Sequence, residues 1–190
     1  MKKNDIIELK IEALGADGEG ISHADGYTLF VKDTAPGDVI RAVVTKTGKT
    51  YGFARMLEIL EASPDRIEPV CPKAKRCGGC TLQHLSPAAE DREKAKRVRD
   101  CLIRIGSISP ETYDAVSEPI LGIREEELWH YRNKGQFPVC AGKEGTPQIG
   151  LYTSRSHEIV DIDHCYIQCE EHENILRILR EWMQKFHITG

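Results

Sequence analysis

Three cysteines within ten residues place the strongest constraint on how this chain can fold. Cys71, Cys77 and Cys80 lie in one short loop, and Gly78 and Gly79 stand between the last two. Thiols at this spacing bind zinc or an iron–sulfur cluster, and glycines allow the backbone to wrap closely around such a group. Three thiolates are one fewer than a closed site requires. The chain must therefore bring a fourth ligand to this loop from elsewhere.

Four further cysteines are candidates for that ligand: Cys101, Cys140, Cys165 and Cys169. Cys101 falls inside a predicted helix, where a thiol usually behaves as a small apolar side chain. Cys165 falls between a predicted strand and a predicted helix, a position from which a side chain can be directed at a partner. We expect Cys165 to be the fourth ligand, with Cys169 as the second choice and His84 and His164 as weaker candidates.

The spacing of the four thiols favours a 4Fe-4S cluster, with zinc as the alternative. Zinc ribbons usually present two paired Cys-x-x-Cys turns, whereas a cubane needs one thiolate per iron and accepts three local ligands plus a distant one. Seven cysteines are an odd number, and the chain begins with Met-Lys-Lys-Asn-Asp rather than with an apolar run. We therefore expect a cytoplasmic protein without disulfides or a membrane segment.

The N-terminal third has the pattern of a small β-barrel, because short apolar runs alternate with glycine-bearing turns. The predicted strands are Ile6–Leu14, Gly26–Val31, Asp38–Lys46 and Tyr51–Leu60. Two prolines mark residues 64–70 as a linker. This organisation predicts an OB-like barrel over residues 1–63 and a cluster-binding domain over residues 71–190.

The second domain is predicted to be of mixed composition. A helix begins at Pro87 with Ser86 as its N-cap and continues to about Ile105. Its predicted buried residues are Ala95, Val98, Leu102 and Ile105. Predicted strands follow at Ala115–Leu121, Trp129–Val139, Gln148–Tyr152 and Glu158–Asp161. A last helix, Glu170 to Phe186, has the predicted buried stripe Ile175, Leu176, Ile178, Leu179 and Trp182. The fold class expected is α+β, with a barrel followed by a small antiparallel-sheet domain that holds a cluster on four cysteine ligands.

Charge is unevenly distributed along the chain. The formal net charge is -4, yet residues 71–104 contain nine Lys or Arg against four Asp or Glu. Such a segment could face phosphates, or it could be a solvated helix surface. In the predicted strand Trp129–Val139, alternation places His130, Arg132, Lys134 and Gln136 on one face. That face could contact single-stranded nucleic acid, or it could be an ordinary polar surface.

Taken together, these motifs resemble the bacterial RNA uracil-5-methyltransferases that modify 23S ribosomal RNA. The segments Gly15–Ile21 and Pro36–Asp38 are similar to a TRAM domain, an OB-like RNA-binding barrel. The cysteine loop is similar to the cluster motif of that family, and Ser156–Asp161 leading to Cys165 is similar to its fourth-ligand segment. Tyr131–Lys134 is similar to the strand that faces RNA.

The resemblance implies a 4Fe-4S cluster held by Cys71, Cys77, Cys80 and Cys165, and ribosomal RNA, or tRNA, as the partner. With the charge pattern and the alternating face described above, the expected RNA-binding residues are Arg132, Lys134, Gln136, Lys73, Lys75, Arg76 and Arg155. In the family, S-adenosylmethionine and the catalytic groups lie in a later domain, and this sequence has no strand–glycine loop–helix unit for that cofactor. We therefore expect no catalytic or cofactor residues here, and a monomer that is inactive alone. The alternatives are a stand-alone iron–sulfur RNA adaptor and a zinc-bound structural module.

Overall fold

A computed structural model describes residues 1–123, 127–142, 145–154 and 156–188 of the chain. Two compact units are present, and each draws on two separate stretches of sequence. Unit 1 consists of Met1–Glu68 and His84–Gly122, and unit 2 of Pro69–Gln83 and Ile123–Gly190. Residues 84–122 thus join the barrel unit, whereas the sequence-based boundary groups them with the cysteine loop. Among the described residues, none of the helices has the length and hydropathy that crossing a bilayer requires.

Unit 1 is built on a six-stranded sheet in the order β1-β5-β6-β4-β3-β2. Its strands are β1 (Ile6–Lys10), β2 (Ala13–Leu14), β3 (Gly20–Ala24), β4 (Tyr27–Val31), β5 (Val39–Thr47) and β6 (Tyr51–Glu61). Neighbouring strands are antiparallel except for β4 and β6, which pair in parallel. The two edge strands, β1 and β2, are successive parts of one stretch of chain. The sheet therefore curls back towards its own start, as in an OB-like barrel.

The core of unit 1 is aliphatic and lies inside this curved sheet. It consists of Leu9, Ile11, Leu29, Val31, Ile40, Ala42 and Ala54. Space is tight at the start of β3, because a Cβ on Gly20 would lie 2.0 Å from Oγ1 of Thr34 and 2.8 Å from Cγ2 of Ile11. Glycine is therefore required at this position for close packing.

Most predicted strands of unit 1 are confirmed. The strands β4, β5 and β6 lie within a few residues of the predicted bounds, and the predicted strand Ile6–Leu14 is divided into β1 and β2. The strand β3 lies between the predicted strands Ile6–Leu14 and Gly26–Val31, where the sequence predicts no strand. It is joined to β4 by Asp25 and Gly26, which both have positive φ, the conformation of a two-residue hairpin turn. The α+β class is confirmed.

A buried ion pair fastens the residues after β6 to the barrel. Asp38 has no exposed surface, and its carboxylate accepts hydrogen bonds from the N–H groups of Ala35 and Ser63 at 2.7 and 2.9 Å. The guanidinium of Arg66 donates to the same carboxylate, with Nη2 2.5 Å from Oδ2. Burial by itself would raise the pKa of Asp38, but these donors outweigh burial and hold the pKa below its usual value of 3.8. The predicted linker is thus anchored to unit 1 at Arg66.

The first helix, α1 (Pro87–Asp100), starts where the sequence predicts. Ser86 caps it by accepting a hydrogen bond from the N–H of Ala89 at 3.3 Å. The chain then continues as one π-helical turn over Cys101–Ile105. The predicted burial of this helix is wrong, because Ala95 is only partly buried and Val98, Leu102 and Ile105 are exposed.

A second helix, α2 (Pro110–Val116), replaces the start of the predicted strand Ala115–Leu121, which is therefore wrong. Ser109 caps this helix by accepting from the N–H of Thr112 at 3.1 Å, with Pro110 at the first helical position. Serine followed by proline is a helix start signal that the apolar residues of the segment obscured.

Unit 2 contains a three-stranded antiparallel sheet, β7 (Val139–Ala141), β8 (Pro147–Tyr152) and β9 (Ile159–Asp161), and the helix α3 (Glu171–Lys185). Ile149 of β8 packs with Leu176 and Met183 of α3 to form the core. These two helix residues are seven apart and form a narrow buried line. The predicted wider stripe is wrong at Ile175, Ile178, Leu179 and Trp182, which are exposed. A sheet of three short strands covers only part of the apolar face of the helix.

The predicted strand Trp129–Val139 is also wrong, because only Val139 belongs to a strand. Arg132 instead pairs with a loop. Its N–H donates to the carbonyl of Ile167 at 2.8 Å, and its carbonyl accepts from the N–H of Cys169 at 2.9 Å. The alternating face predicted for His130, Arg132, Lys134 and Gln136 therefore has no pleated strand to support it.

Candidate metal centre

Unit 2 brings the predicted ligands together in one pocket, which we call the cysteine pocket. Cys71, Cys77 and Cys80 of the loop line it together with Cys165. The remaining lining residues are Lys73, Ala74, Gln83, Leu151, Ile162, His164, Tyr166 and Ile167. The pocket thus combines four thiols with a mainly apolar wall, although Cys165 lies about 85 residues after Cys80 in sequence.

The cysteine loop is fastened to the end of β8, and its glycines explain how it comes so close. The N–H of Gly78 donates to the carbonyl of Tyr152 at 2.9 Å. A Cβ on Gly78 would lie 2.8 Å from that same oxygen, and a Cβ on Gly79 would lie 2.9 Å from Cδ1 of Leu151. Close approach of the β8 backbone therefore requires glycine at position 78, whereas a side chain at position 79 would meet only the end of the Leu151 side chain.

The segment that leads to Cys165 is held by an arginine of α3. The side chain of Arg180, only 15% exposed, donates to Oδ1 of Asp161 at 2.7 Å and to the carbonyl of Ile162 at 2.7 Å. It also pairs with Asp163 at 2.9 Å. These contacts fix residues 161–163 immediately before Cys165, so that the position of the fourth thiol depends on α3.

The other candidate ligands lie elsewhere or have other partners. Cys169 does not line the pocket, and its Sγ lies 3.7 Å from Nδ1 of His172. His84 belongs to unit 1, where its Nε2 bonds the carbonyl of Thr34 at 3.1 Å. His164 lines the pocket, but its Nδ1 is paired with Glu173.

Two other cysteines lie outside the pocket. Cys140 lies in β7, with its Sγ 3.7 Å from Oε1 of Gln148. Cys101 is exposed at the start of the π-helical turn, and the neighbouring Leu102 is exposed too. The interpretation of Cys101 as a buried small side chain is therefore wrong.

Two of the pocket thiols, Cys77 and Cys80, are shifted towards the neutral form. Burial raises the pKa of Cys77, and the nearby thiols of Cys165 and Cys71 raise it further, against the N–H of Gly79 and the ammonium of Lys73. Burial also raises the pKa of Cys80, opposed by a hydrogen bond from Gln83. Four thiolates in so small a volume would repel one another, so deprotonation requires a compensating cation.

All four thiols line the same pocket. Among the residues that the structure describes, no three or more His, Cys, Asp or Glu side chains are grouped so that they could hold a metal ion. A tetrahedral zinc ion needs all four sulfurs within about 2.3 Å of one centre. A cubane places each thiolate on a different iron and so accepts wider separation.

Two of the predicted RNA-binding residues have exposed side chains in the segment that pairs with the loop after Cys165. Arg132 and Lys134 are both exposed, and neither forms an ion pair with any described residue. The backbone of Arg132 is fixed by its hydrogen bonds to Ile167 and Cys169. Gln136 is exposed as well. The exposed guanidinium of Arg132 is therefore carried by a backbone segment whose position is fixed by hydrogen bonds.

Two of the three cations of the cysteine loop have partners within unit 2. Lys73 donates to the carbonyl of Asp161, and Arg76 pairs with Glu158 at 2.8 Å. Lys75 is exposed and has no ion pair within the described part of the chain. Arg155 lies outside the described residues. The basic residues of α1 belong to unit 1, where several pair with acids, as Arg92 does with Asp65 at 2.6 Å.

Arg180 and Asp161, which position the fourth thiol, are not predicted from the sequence. Asp161 accepts from the N–H of Ile149 at 2.9 Å as well as from Arg180. Both residues fall within segments in which the apolar pattern is the dominant signal. The only sequence signal is the acidic pair Asp161 and Asp163 before Cys165, and both carboxylates pair with Arg180.

Comparison with known proteins identifies the N-terminal region. Residues 2–57 match the TRAM domain family. Over 190 residues the chain is 45% identical to an uncharacterised RNA methyltransferase of Halalkalibacterium halodurans and 40% identical to one of Clostridium acetobutylicum. One from Bacillus cereus is 34% identical. Each comparison covers 100% of this chain and 40% of the relative. The chain thus spans about two fifths of the length of these curated relatives.

A solved structure has a similar fold. The crystal structure of Pyrococcus abyssi tRNA (uracil-54, C5)-methyltransferase in complex with S-adenosyl-L-homocysteine superposes with a TM-score of 0.56. The sequence identity is 24%, and the match covers 94% of this chain and 37% of the other. The relationship indicated by the sequence motifs is confirmed at this level: the chain contains a TRAM domain and is related over its whole length to RNA methyltransferases.

Proposed function

We propose that this chain is the RNA-engaging part of an S-adenosylmethionine-dependent RNA (uracil-5-)-methyltransferase, and that it holds a 4Fe-4S cluster. The ligands are Cys71, Cys77, Cys80 and Cys165. The observation that carries the proposal is the meeting of these four thiols in the cysteine pocket of a chain related to RNA methyltransferases. Methyl transfer to the C5 carbon of uracil is assigned to the part of the relatives that this chain does not cover. Ribosomal RNA or tRNA is the substrate class.

The donor set of the pocket favours a cluster over zinc. Thiolates alone suit both, but three of the four come from one loop and the fourth from about 85 residues further on, whereas zinc ribbons usually present two paired Cys-x-x-Cys turns. A bound cluster would supply the cationic irons that stabilise four deprotonated thiols. Its role in this chain is to tie the loop at residues 71–80 to the segment after β9. That segment in turn fixes the backbone of Arg132.

The metal content of the purified chain tests the cofactor. Protein prepared without oxygen should contain iron and acid-labile sulfide and absorb broadly near ~400 nm, as thiolate-ligated iron–sulfur clusters do. Iron, sulfide and zinc are measured on the same sample by elemental and colorimetric analysis. Stoichiometric zinc without iron would contradict the proposed cluster and would favour the alternative, a zinc-bound structural module.

RNA binding is expected to depend on the exposed cations of unit 2. The double variant Arg132→Gln and Lys134→Gln should bind a transcribed RNA hairpin more weakly than the unchanged chain. Each lost phosphate contact should reduce the slope of log affinity against log salt by about 1. The measurement is fluorescence anisotropy over a series of salt concentrations.

A matched control removes the same charge from another exposed surface. The control is the double variant Arg177→Gln and Lys185→Gln on α3. Arg177 pairs with Glu181, and Lys185 lies over the ring of Phe186. This control should change the salt slope little. If both double variants behave alike, RNA binding follows net charge and the assignment of Arg132 and Lys134 is wrong. If the unchanged chain binds no RNA, the proposed RNA-engaging role fails.

A further inference from the structure

Three aromatic rings gather on the outer face of the barrel of unit 1, and we call them the aromatic patch: Phe30 of β4 with Tyr51 and Phe53 of β6. The parallel pairing of these strands places Phe30 opposite Phe53 and Thr28 opposite Tyr51. The ring centroids of the three possible pairs are 5.7 to 5.8 Å apart. All three side chains therefore form one continuous surface.

The patch is not needed for the core of the barrel. Residues that alternate with the rings, such as Leu29, Val31 and Ala54, are buried on the other side of the sheet. The core cluster is made of aliphatic side chains and contains no phenylalanine. Tyr51 is 49% exposed, and Phe30 and Phe53 are partly exposed. Exposing aromatic surface costs free energy unless a ligand covers it, so this placement indicates a binding role.

The orientations of the rings create two stacking surfaces. The planes of Phe30 and Phe53 differ by 35°, whereas the ring of Tyr51 stands at 85° to Phe30 and 82° to Phe53. A flat ligand can lie against the tilted phenylalanine pair or against the Tyr51 ring. One or two unpaired nucleotides would fit this arrangement better than a long stacked run.

Positive charge lies beside the patch on the same sheet. Lys46 of β5 pairs with Phe53 in the strand register, Arg55 follows Phe53 by two residues in β6, and Lys49 lies in the β5–β6 connection. All three are exposed, and none is in an ion pair with a residue that the structure describes. Cations next to aromatic rings complement a strand that has both phosphates and flat bases.

We propose that Phe30, Tyr51 and Phe53 form a stacking site for one or two unpaired RNA bases, whose phosphates are held by Lys46, Lys49 and Arg55. The inference rests on the RNA-engaging role proposed above. It adds which part of the RNA unit 1 binds. A base in a loop or a bulge has both faces open, whereas a base in a duplex is already stacked. The ligand class is therefore unpaired RNA.

The test uses the whole chain and two probes, a single-stranded RNA of about 12 nucleotides and an RNA duplex of the same length. Tyr51→Leu and Phe53→Leu keep apolar bulk and remove the ring, and Tyr51→Phe keeps the ring. Each leucine variant should weaken single-strand binding by about tenfold, an effect in the range measured for one base stacked on an aromatic side chain. Tyr51→Phe should bind as the unchanged chain does. Far-UV circular dichroism checks that each variant is folded.

The salt dependence separates stacking from charge. The leucine variants should keep the same slope of log affinity against log salt, because stacking releases no counterions, whereas Lys46→Gln should reduce the slope. Leucine variants that bind the single strand unchanged would overturn the stacking site and would leave the RNA-engaging role intact. An unchanged chain that binds neither probe would overturn both the stacking site and that role.

Discussion

A Cys165→Ser variant is expected to lose most of its bound iron, while a Cys169→Ser variant keeps it. Cys165 lines the cysteine pocket together with the three loop thiols, and Cys169 does not. Serine has nearly the same shape as cysteine but offers a hydroxyl, which is a poor ligand for iron–sulfur clusters. Loss of an outer-shell partner alone lowers metal affinity about 10- to 100-fold, so loss of a thiolate should lower it at least as much.

The measurement is iron and sulfide per chain after oxygen-free purification, together with the absorbance near ~400 nm. Cys169→Ser is a matched control because Cys169 lies only four residues further along the same segment and is partly buried too. Tryptophan fluorescence checks that unit 2 is folded, because both tryptophans, Trp129 and Trp182, belong to it. Equal iron in the two variants would show that Cys165 is not the fourth ligand. Loss of iron only in Cys169→Ser would transfer that role to Cys169.

Replacing Arg66 by methionine should destabilise unit 1 by about 3–5 kcal/mol, because it leaves a buried carboxylate without its cation. The Asp38 side chain is fully buried and that of Arg66 is 16% exposed. For a unit of roughly this size the loss corresponds to a fall in melting temperature of more than about 10 °C. The matched control is Arg92→Met, which removes a guanidinium from the exposed pair with Asp65 and should change stability little.

Two probes distinguish the units in this experiment. Thermal unfolding is followed by far-UV circular dichroism, which contains the signal of the unit 1 sheet, and by tryptophan fluorescence, which reports on unit 2. In Arg66→Met, the unfolding transition seen by circular dichroism should move to a lower temperature, and the transition seen by tryptophan fluorescence should not move. In the double variant Arg66→Met with Asp38→Asn, the buried charge is gone and part of the stability should return. Equal melting curves for Arg66→Met and Arg92→Met would contradict a structural role of the buried pair.

The same pair predicts the behaviour of unit 1 in acid. The pKa of Asp38 in the folded chain lies below 3.8, its usual value, despite burial, because Arg66 and two backbone N–H groups stabilise the carboxylate. A depressed pKa means that the stabilisation is fully present above the unfolded value of 3.8 and is lost as the pH falls through the folded value. In Arg66→Met the pKa of Asp38 should rise, because burial still raises it and the strongest group that lowers it is gone.

Local signals in the sequence were sufficient for several elements. Ser86 with Pro87 marks the start of α1 because capping involves only neighbouring residues. The runs that form β4, β5 and β6 end at glycine-bearing turns, and the structure keeps those bounds closely. The cysteine spacing predicted that a distant ligand must reach the loop, and the structure brings Cys165 to the same pocket.

The remaining errors concern partners that are distant in sequence. Trp129–Val139 alternates like a strand, but its backbone partner at Arg132 is the loop of Ile167 and Cys169, which no periodicity reveals. The strand β3 contains the fully buried Ser22 and the close-packed Gly20, so it lacks the apolar content that strand prediction needs. The apolar stripe of α3 is wider than the face that the small sheet buries, so periodicity predicted too much burial.

The cysteine pocket also has a consequence for the order of events during synthesis. Its first three thiols leave the ribosome about 85 residues before Cys165. At roughly 5–20 residues per second, this interval lasts on the order of 4 to 17 seconds. Throughout that time the loop has three thiols and no fourth, and for most of it the strand against which Gly78 and Gly79 pack does not yet exist. The nascent loop is therefore open to oxidation until β8, β9 and Cys165 have been made, and insertion of the proposed cluster would have to come after that.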